Sequence, residues 1–239
     1  MTFALFTDVG SREINEDCVG VKEKDNGLCC VLCDGLGGHG RGEEASSFVT
    51  ERMLSLYEND ENFIDHIGEA FETVQKELLE EQKRKSAKFE MKTTTTLLVV
   101  EGNRIRWGHI GDSRLYVFKK GKYKKRTMDH SVPQMLVLAH EIKEKEIRNH
   151  PDRNKLLRVM GIEWGYSKYD ISAEEKRKEG YSFLLCSDGF WELIDEKQMS
   201  ATLKESENAT EWIEKMSVIV KKSGEGKNMD NFSAIALIL

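Results

Sequence analysis

The chain has 239 residues, enough for a sizeable buried core in one large domain or two small ones. Its 42 acidic residues outnumber its 36 basic ones, for a formal net charge of -6, which argues against nucleic acid as a partner because affinity for a phosphate backbone comes mainly from Lys and Arg. Charged residues at 33% and apolar residues at 39% describe a well-solvated chain that still has the means to fold. No apolar stretch approaches the roughly 20 residues of a membrane span. The start, Met1-Thr2-Phe3-Ala4-Leu5-Phe6, lacks a basic segment and soon meets Asp8, so no membrane association and a cytoplasmic location are expected.

In chain order, short apolar or alternating runs predict strands over 3–8, 18–23 and 28–33. Helical spacing follows: Val49, Met53 and Leu56 mark one face, and Phe63, Ile67, Ala70, Phe71, Val74 and Leu78 a second. Strands are predicted next over 94–100, 104–110 and 114–118, with turns at Gly102-Asn103 and Gly121, and another over 181–186. Ala209, Trp212, Ile213, Met216, Ile219 and Val220 mark a third helix, and 232–239 a last strand. Two consecutive helices between runs of strands are not the βαβ alternation of a parallel sheet, so an antiparallel α+β architecture is expected. Leu28 to Cys33, Leu97 to Val100 and Phe183 to Cys186 are apolar on both faces, which predicts stacked sheets covered by helices. With only Pro133 and Pro151, no repeat and no Pro/Gly/Ser linker, residues 1–239 read as a single domain.

Five cysteines, with Cys29 and Cys30 adjacent, make a poor disulfide framework and suit a reducing compartment. Cys30 and Cys33 form a CxxC, but only the isolated Cys18 and Cys186 remain to complete a zinc site, so these thiols are read as small apolar residues of a buried strand.

The informative pattern is where the acids fall. Asp34 ends the run Leu28 to Cys33, and Asp188 follows Phe183 to Cys186 by one residue. Glu16 and Asp17 precede one strand, Asp230 precedes the last, and Asp112 sits in the break between two more. In antiparallel neighbours the end of one strand and the start of the next share an edge, so these carboxylates converge on one rim. Several carboxylates a few ångströms apart raise one another's pKa unless a cation neutralises them. All-oxygen ligation selects hard ions, Mg²⁺ or Mn²⁺, over zinc or copper.

Read together, the motifs carry a resemblance. Gly10-Ser11-Arg12-Glu13-Ile14-Asn15-Glu16-Asp17 is similar to an opening GxxRxxNED, and Cys33 to Ser46 to a DGxGGHxxGExAS segment. Thr93 to Thr96, Gly111-Asp112-Ser113-Arg114, Asp129-His130-Ser131, Ser187-Asp188-Gly189 and Asp230-Asn231 complete the series. In this order they resemble the protein phosphatase 2C family of metal-dependent protein serine/threonine phosphatases, in particular its compact bacterial members.

The resemblance implies an αββα sandwich, two stacked antiparallel sheets flanked by helix pairs, with two Mn²⁺ or Mg²⁺ ions at one edge. Asp34 would bridge them, Asp188 and Asp230 would hold the first, and Glu16 and the carbonyl of Gly35 the second. Asp112 and Asp188 correspond to acids that bind a third, weaker ion, and Asp17 to one that orients a metal-bound water. Arg12 corresponds to the arginine that grips the substrate phosphate. The implied reaction is hydrolysis of phosphoserine or phosphothreonine by in-line attack of a hydroxide bridging the ions, with a metal-bound water as the acid. Phosphorylated proteins, a cognate Ser/Thr kinase and a monomeric state are the implied partners and assembly.

Three positions depart from the pattern: Lys92 stands where a Gly is common, Leu36 where some relatives have His, with His39 three residues on, and Glu192 where some have Asp. The segment 129–161 corresponds to a flap over the site. Gly35 to Gly40 also satisfies a dinucleotide GxGxxG, but Asp34 would repel a pyrophosphate and the elements that follow are two helices. The remaining alternative is a catalytically silent binding module of the same fold, against which stands the presence of Asp34, Asp188 and Asp230.

Overall fold

The computed structural model describes residues 1–36, 40–88, 90–165 and 167–239. Three strands open the chain, β1 (Thr2–Asp8), β2 (Asp17–Lys24) and β3 (Gly27–Leu36), followed by the helices α1 (Gly42–Asn59) and α2 (Ile67–Arg84). The short β4 (Lys92–Thr93) leads into a meander of β5 (Thr95–Glu101), β6 (Arg104–Ile110), β7 (Arg114–Lys119) and β8 (Lys122–Arg126). A segment with α3 (Val132–Leu138) and a 3₁₀ turn over Glu144–Asn149 precedes the two-residue strands β9 (Asp170–Ile171) and β10 (Glu175–Lys176). Then come β11 (Tyr181–Cys186), α4 (Asp188–Trp191), α5 (Glu196–Lys204), α6 (Ala209–Gly224) and β12 (Phe232–Ile238).

Two antiparallel sheets result, one in the order β1-β12-β11-β7-β8 and the other β10-β6-β5-β3-β2, with β4 on β3 and β9 on β6. Alternation along β3 shows how the layers form. Leu28, Cys30 and Leu32 face the other sheet and meet Leu115, Phe183, Leu185 and Ile235. Cys29, Val31 and Cys33 face the other way, against Val49 and Met53 of α1 and Phe71 and Val74 of α2. A third core joins the remaining sheet face to α5 and α6 through Met199, Trp212, Met216 and Val220. Each fully buried aliphatic side chain contributes about 1.5–3 kcal/mol, and a strand buried on both faces can only sit inside such a sandwich. The αββα expectation is met.

The CxxC lies on this strand, so Cys30 and Cys33 point to opposite faces and share no metal; both are free and buried. The structure adds elements that apolar patterning did not predict: β8, α3, α4, α5 and the short β4, β9 and β10. The second predicted helix begins at Ile67, and Phe63 sits in the turn before it. None of the helices is long and apolar enough to cross a membrane among the described residues.

Candidate metal centre

One end of both sheets carries the predicted acids. Asp34 lies opposite Asp17 across the β2–β3 ladder, a like-charge pair that destabilises a sheet unless something else compensates. The Thr run fixes Asp34 from the other side: its N–H donates to Thr94 Oγ1 at 3.0 Å, and its carbonyl accepts from Thr94 N at 2.8 Å and Thr93 Oγ1 at 2.8 Å. Thr94 Oγ1 also meets Ser113 Oγ at 2.7 Å, and Thr96 Oγ1 donates to the Ser113 carbonyl at 3.0 Å. The threonines thus set the Asp34 strand end and the Asp112 loop at a fixed spacing, a role that their position in the motif did not disclose.

Asp112 is held by its own carbonyl, which accepts from Trp191 Nε1 at 3.0 Å. The Trp191 ring lies under the Arg114 guanidinium, 3.3 Å from its centroid, and Arg114 is paired in the interior with Asp129 through two bonds of 2.8 and 2.7 Å. Asp188 begins α4. The preceding Ser187 donates to Asp17 Oδ2 at 2.8 Å and accepts from Ser233 N at 2.9 Å.

Asp230 accepts two bonds from Arg12, Nε at 3.0 Å and Nη2 at 2.9 Å, and one from Asn231 N–H at 2.9 Å. The two side chains are 47% and 43% exposed, so the pair is worth only about 0–1 kcal/mol and can be exchanged readily. The Arg12 loop reaches Asp230 closely at Gly10, whose φ is 63° and where a Cβ would stand 2.2 Å from the Asp230 carbonyl oxygen. Only glycine suits that conformation and that approach. Gly35 is similarly constrained, since a Cβ there would meet the Gly42 carbonyl at 2.3 Å and the Glu16 carbonyl at 2.7 Å.

Arg12, Glu16, Asp34, Asp112, Asp188 and Asp230 line one cleft of about 430 Å³, with Gly35 on its wall. Asp17 is the exception: buried, it stands behind the cleft with Oδ1 unpartnered. Glu43, which sequence reasoning did not single out, also lines the cleft and has an unpartnered buried Oε2. Its position in the first turn of the helix that follows the Gly-rich segment was the available signal.

The electrostatics match the geometry. Burial, then the carboxylates of Asp17, Asp188, Asp112 and Asp230, push the Asp34 carboxyl well above its usual range. Burial and Asp188 do the same for Asp112. Burial and Asp230 raise Asp188 to about 6, and burial raises Asp17 to about 7 against the hydroxyls of Ser233 and Ser187. Burial, then Glu43 and Asp230, raises Glu16. Orphaned carboxylate oxygens and a rim of acids that resist ionisation together are what a hard divalent cation relieves, so these residues fit the Mg²⁺ or Mn²⁺ expected of them.

The segment 129–161 contributes Asn154 and Leu156 to the cleft. Beside it a second hollow of about 450 Å³ holds Glu192, which pairs with Arg153 at 3.0 Å and is raised to about 7 by burial and Asp188. His39, noted above as a residue near the motif, lies outside the described residues. A different set, His109, His130 and Asp170, ties the start of the segment to β6 and β9. There His130 Nδ1 accepts from Gly111 N–H at 3.2 Å, so Nε2 carries the proton and donates to Asp170 at 3.1 Å. A neutral imidazole used at both nitrogens has no lone pair left for a metal, and this set is a hydrogen-bonded clasp.

Comparison with known proteins agrees with the geometry. The model of the protein phosphatase 2C family matches residues 9–232. The chain is 30% identical to the serine/threonine phosphatase stp of Listeria welshimeri, over 96% of this chain and 92% of that one. Its fold superposes on the serine/threonine phosphatase Stp1 of Staphylococcus aureus with a TM-score of 0.89 at 27% identity, covering 100% and 95% of the two chains. The catalytic domain of the serine/threonine protein phosphatase PstP, solved in complex with two manganese ions, matches with a TM-score of 0.82 at 25% identity, covering 98% and 96%. The chain belongs to the protein phosphatase 2C family.

Proposed function

We propose that this enzyme hydrolyses phosphoserine and phosphothreonine in proteins at a centre of two Mn²⁺ or Mg²⁺ ions, and that residues 1–239 form one catalytic unit with a flap over 129–161. The observation that carries the reading is the convergence of acids from the starts and ends of separate strands on one cleft that also holds an arginine. Asp34 would be shared by both ions, Asp188 and Asp230 would hold one, and Glu16 and the Gly35 carbonyl the other. Asp112 with Asp188 would take a third, weaker ion. When bound, the ions supply a bridging water of lowered pKa for in-line attack on phosphorus and positive charge for the phosphoryl oxygens.

The chain's own residues do the rest. Arg12 presents a planar fork at the mouth of the cleft, where two N–H groups now on Asp230 are spaced to take two phosphoryl oxygens. Asp17, fixed by Ser187 behind the cleft, keeps one oxygen without a partner and would orient a water held at the centre. Asn154 and Leu156 line the cleft and would border the phosphopeptide. Family membership and the full set of acids favour an active enzyme over a silent binding module.

Purified protein should hydrolyse p-nitrophenyl phosphate and a phosphothreonine peptide with Mn²⁺ and stop in EDTA. Asp34→Asn and Asp230→Asn should each lower turnover by more than the roughly 10–100-fold typical of losing an outer partner of a metal ligand. Hydrolysis that persists in EDTA, or none with Mn²⁺, sinks the proposal.

A further inference from the structure

The hairpin β7–β8 and helix α5 carry a charge pattern that the catalytic cleft does not use. Lys119 to Arg126 reads Lys-Lys-Gly-Lys-Tyr-Lys-Lys-Arg, six cations in eight residues of a chain whose net charge is -6. Two of the six are spoken for, Lys125 by Glu175 at 2.5 Å and Arg126 by Asp129 and Glu144. Lys120, Lys122 and Lys124, with Lys197 and Lys204 of α5, have no carboxylate within 4 Å among the described residues, whereas most arginines of the chain are paired.

Three of these lysines, Lys122, Lys197 and Lys204, border a concavity. A hollow of about 360 Å³ lies between β8 and α5, bordered by Lys122, Tyr123, Lys197, Ser200 and Lys204. Its floor is fixed, because Tyr123 N–H donates to Ser200 Oγ at 3.1 Å and the Lys204 stem lies over Gly121. One carboxylate, Glu196, punctuates the rim and is engaged by Arg148 at 2.7 Å. Lysines on an edge strand also discourage edge-to-edge pairing, but that purpose does not call for Lys197 and Lys204 on a helix opposite.

We infer that this groove docks an acidic segment of the phosphoprotein substrate, apart from the catalytic cleft. Charge complementarity identifies the occupant as anionic, and its shape narrows the class. A planar anionic membrane cannot enter a hollow between strand and helix, and a long nucleic acid would run onto the acidic remainder of the chain. A short acidic stretch of polypeptide can meet Lys122, Lys197 and Lys204, while the rim's carboxylate, Glu196, is engaged by Arg148. Strand β7 runs from Arg114, beside the acids, to Lys119 at the hairpin, so the groove lies about 17 Å from the rim. One substrate can reach both through at least about five extended residues.

The substrate assignment rests on the phosphatase reading; the binding itself does not. The test uses the full chain and the charge-reversed variant Lys122→Glu/Lys204→Glu. Fluorescence anisotropy of a labelled octaglutamate peptide, in EDTA, should show binding to the native chain that weakens as salt rises and is lost in the variant. With Mn²⁺, adding octaglutamate to a phosphothreonine peptide through a flexible linker of about ten residues should lower KM about tenfold for the native chain and leave it within about twofold for the variant. Hydrolysis of p-nitrophenyl phosphate should be equal in the two proteins, which also shows that the variant is folded. Equal octaglutamate binding by both, an unchanged KM, or tighter binding to phosphatidylglycerol vesicles or single-stranded DNA than to the peptide overturns the inference. Peptide binding without any Mn²⁺-dependent hydrolysis would instead overturn the phosphatase reading and leave the groove standing.

Discussion

Asn231 accepts a hydrogen bond from the backbone N–H of Glu16 at 2.8 Å and, with its amide nitrogen, donates to the carbonyls of Val9 at 2.9 Å and Ile14 at 3.0 Å. One buried side chain beside Asp230 therefore sets the loop that carries Arg12 and Glu16. Asn231→Ala leaves the Glu16 N–H and the Ile14 carbonyl without partners, while Val9 keeps its bond from Arg12 N–H, so the cost is about 1 kcal/mol for each orphaned group, or about 2 kcal/mol together. Urea denaturation should show that loss, and Mn²⁺ titration should show weaker binding through the displaced Glu16. Unchanged stability would mean that the loop is held elsewhere.

The Arg114–Asp129 pair is buried on both sides, unlike the exposed pair of Arg104 with Asp65. Asp129→Asn should leave the Arg114 guanidinium uncompensated in the interior and cost about 3–5 kcal/mol, whereas Asp65→Asn, at a solvent-screened pair, should leave stability nearly unchanged. Chemical denaturation of the two variants in parallel separates the cases. Since Arg114 lies on Trp191, which holds the Asp112 carbonyl, Asp129→Asn should also reduce Mn²⁺-dependent turnover.

The rim acids give a pH dependence of definite sign. Asp17, Asp34, Asp112 and Asp188 all have folded values above the ordinary carboxylate range, raised by burial and by one another. The fold then binds more protons than the unfolded chain, so in EDTA their contribution is favourable at low pH and is lost as pH rises, through about 6 for Asp188 and about 7 for Asp17. In EDTA, Tm should fall between pH 5 and pH 8. Mn²⁺ at about a hundred times its Kd should restore about 2.7 kcal/mol at pH 8, or roughly 5–10 °C, and less at pH 5. Asp129 runs the other way, because Arg114 holds it below the ordinary range despite burial, so below about pH 4 its contribution is lost as well. A flat Tm in EDTA across this range would contradict the cluster.

Asp17→Asn should divide stability from activity. The asparagine oxygen can still accept from Ser187, while the carboxylate that faces Asp34 is gone. The metal-free variant should melt higher than the native chain at pH 8, yet turn over substrate about 10–100-fold more slowly. A variant that melts lower would show that Asp17 is needed for the fold itself.

Much of this was legible because burial writes itself into sequence. The run Leu28 to Cys33 faces a core on each side and could be read as a sandwich strand, and the acids at its ends could be placed on one rim. The strand Lys122–Arg126 could not, since it forms a sheet edge whose lysines point to water and whose pairing with β7 leaves no apolar mark. The helix Glu196–Lys204 buries only Met199, Thr202 and Leu203, too short a stripe to stand out. Its better signal was the cap, where Asp195 accepts from Lys197 N and Gln198 N and Gln198 answers Asp195 N. Residue types likewise named the acids of the centre but not their supports: Thr94, Ser113, Ser187 and Trp191 act through hydrogen bonds to residues 17 to 170 positions away.

Strands β1 and β12 pair along their whole length, from Thr2 with Ile238 to Asp8 with Phe232, and the Arg12 loop rests on Asp230. The site is therefore assembled from segments 218 positions apart in sequence, and it depends on contacts of very high sequence separation, which form late in folding. A nascent chain that has made α1, the meander and Asp188 still lacks Asp230 and the strand that positions it. Phosphatase activity should accordingly switch on in one step when β12 docks, and fragments cut short of it should carry a folded-looking sheet with no catalytic leak.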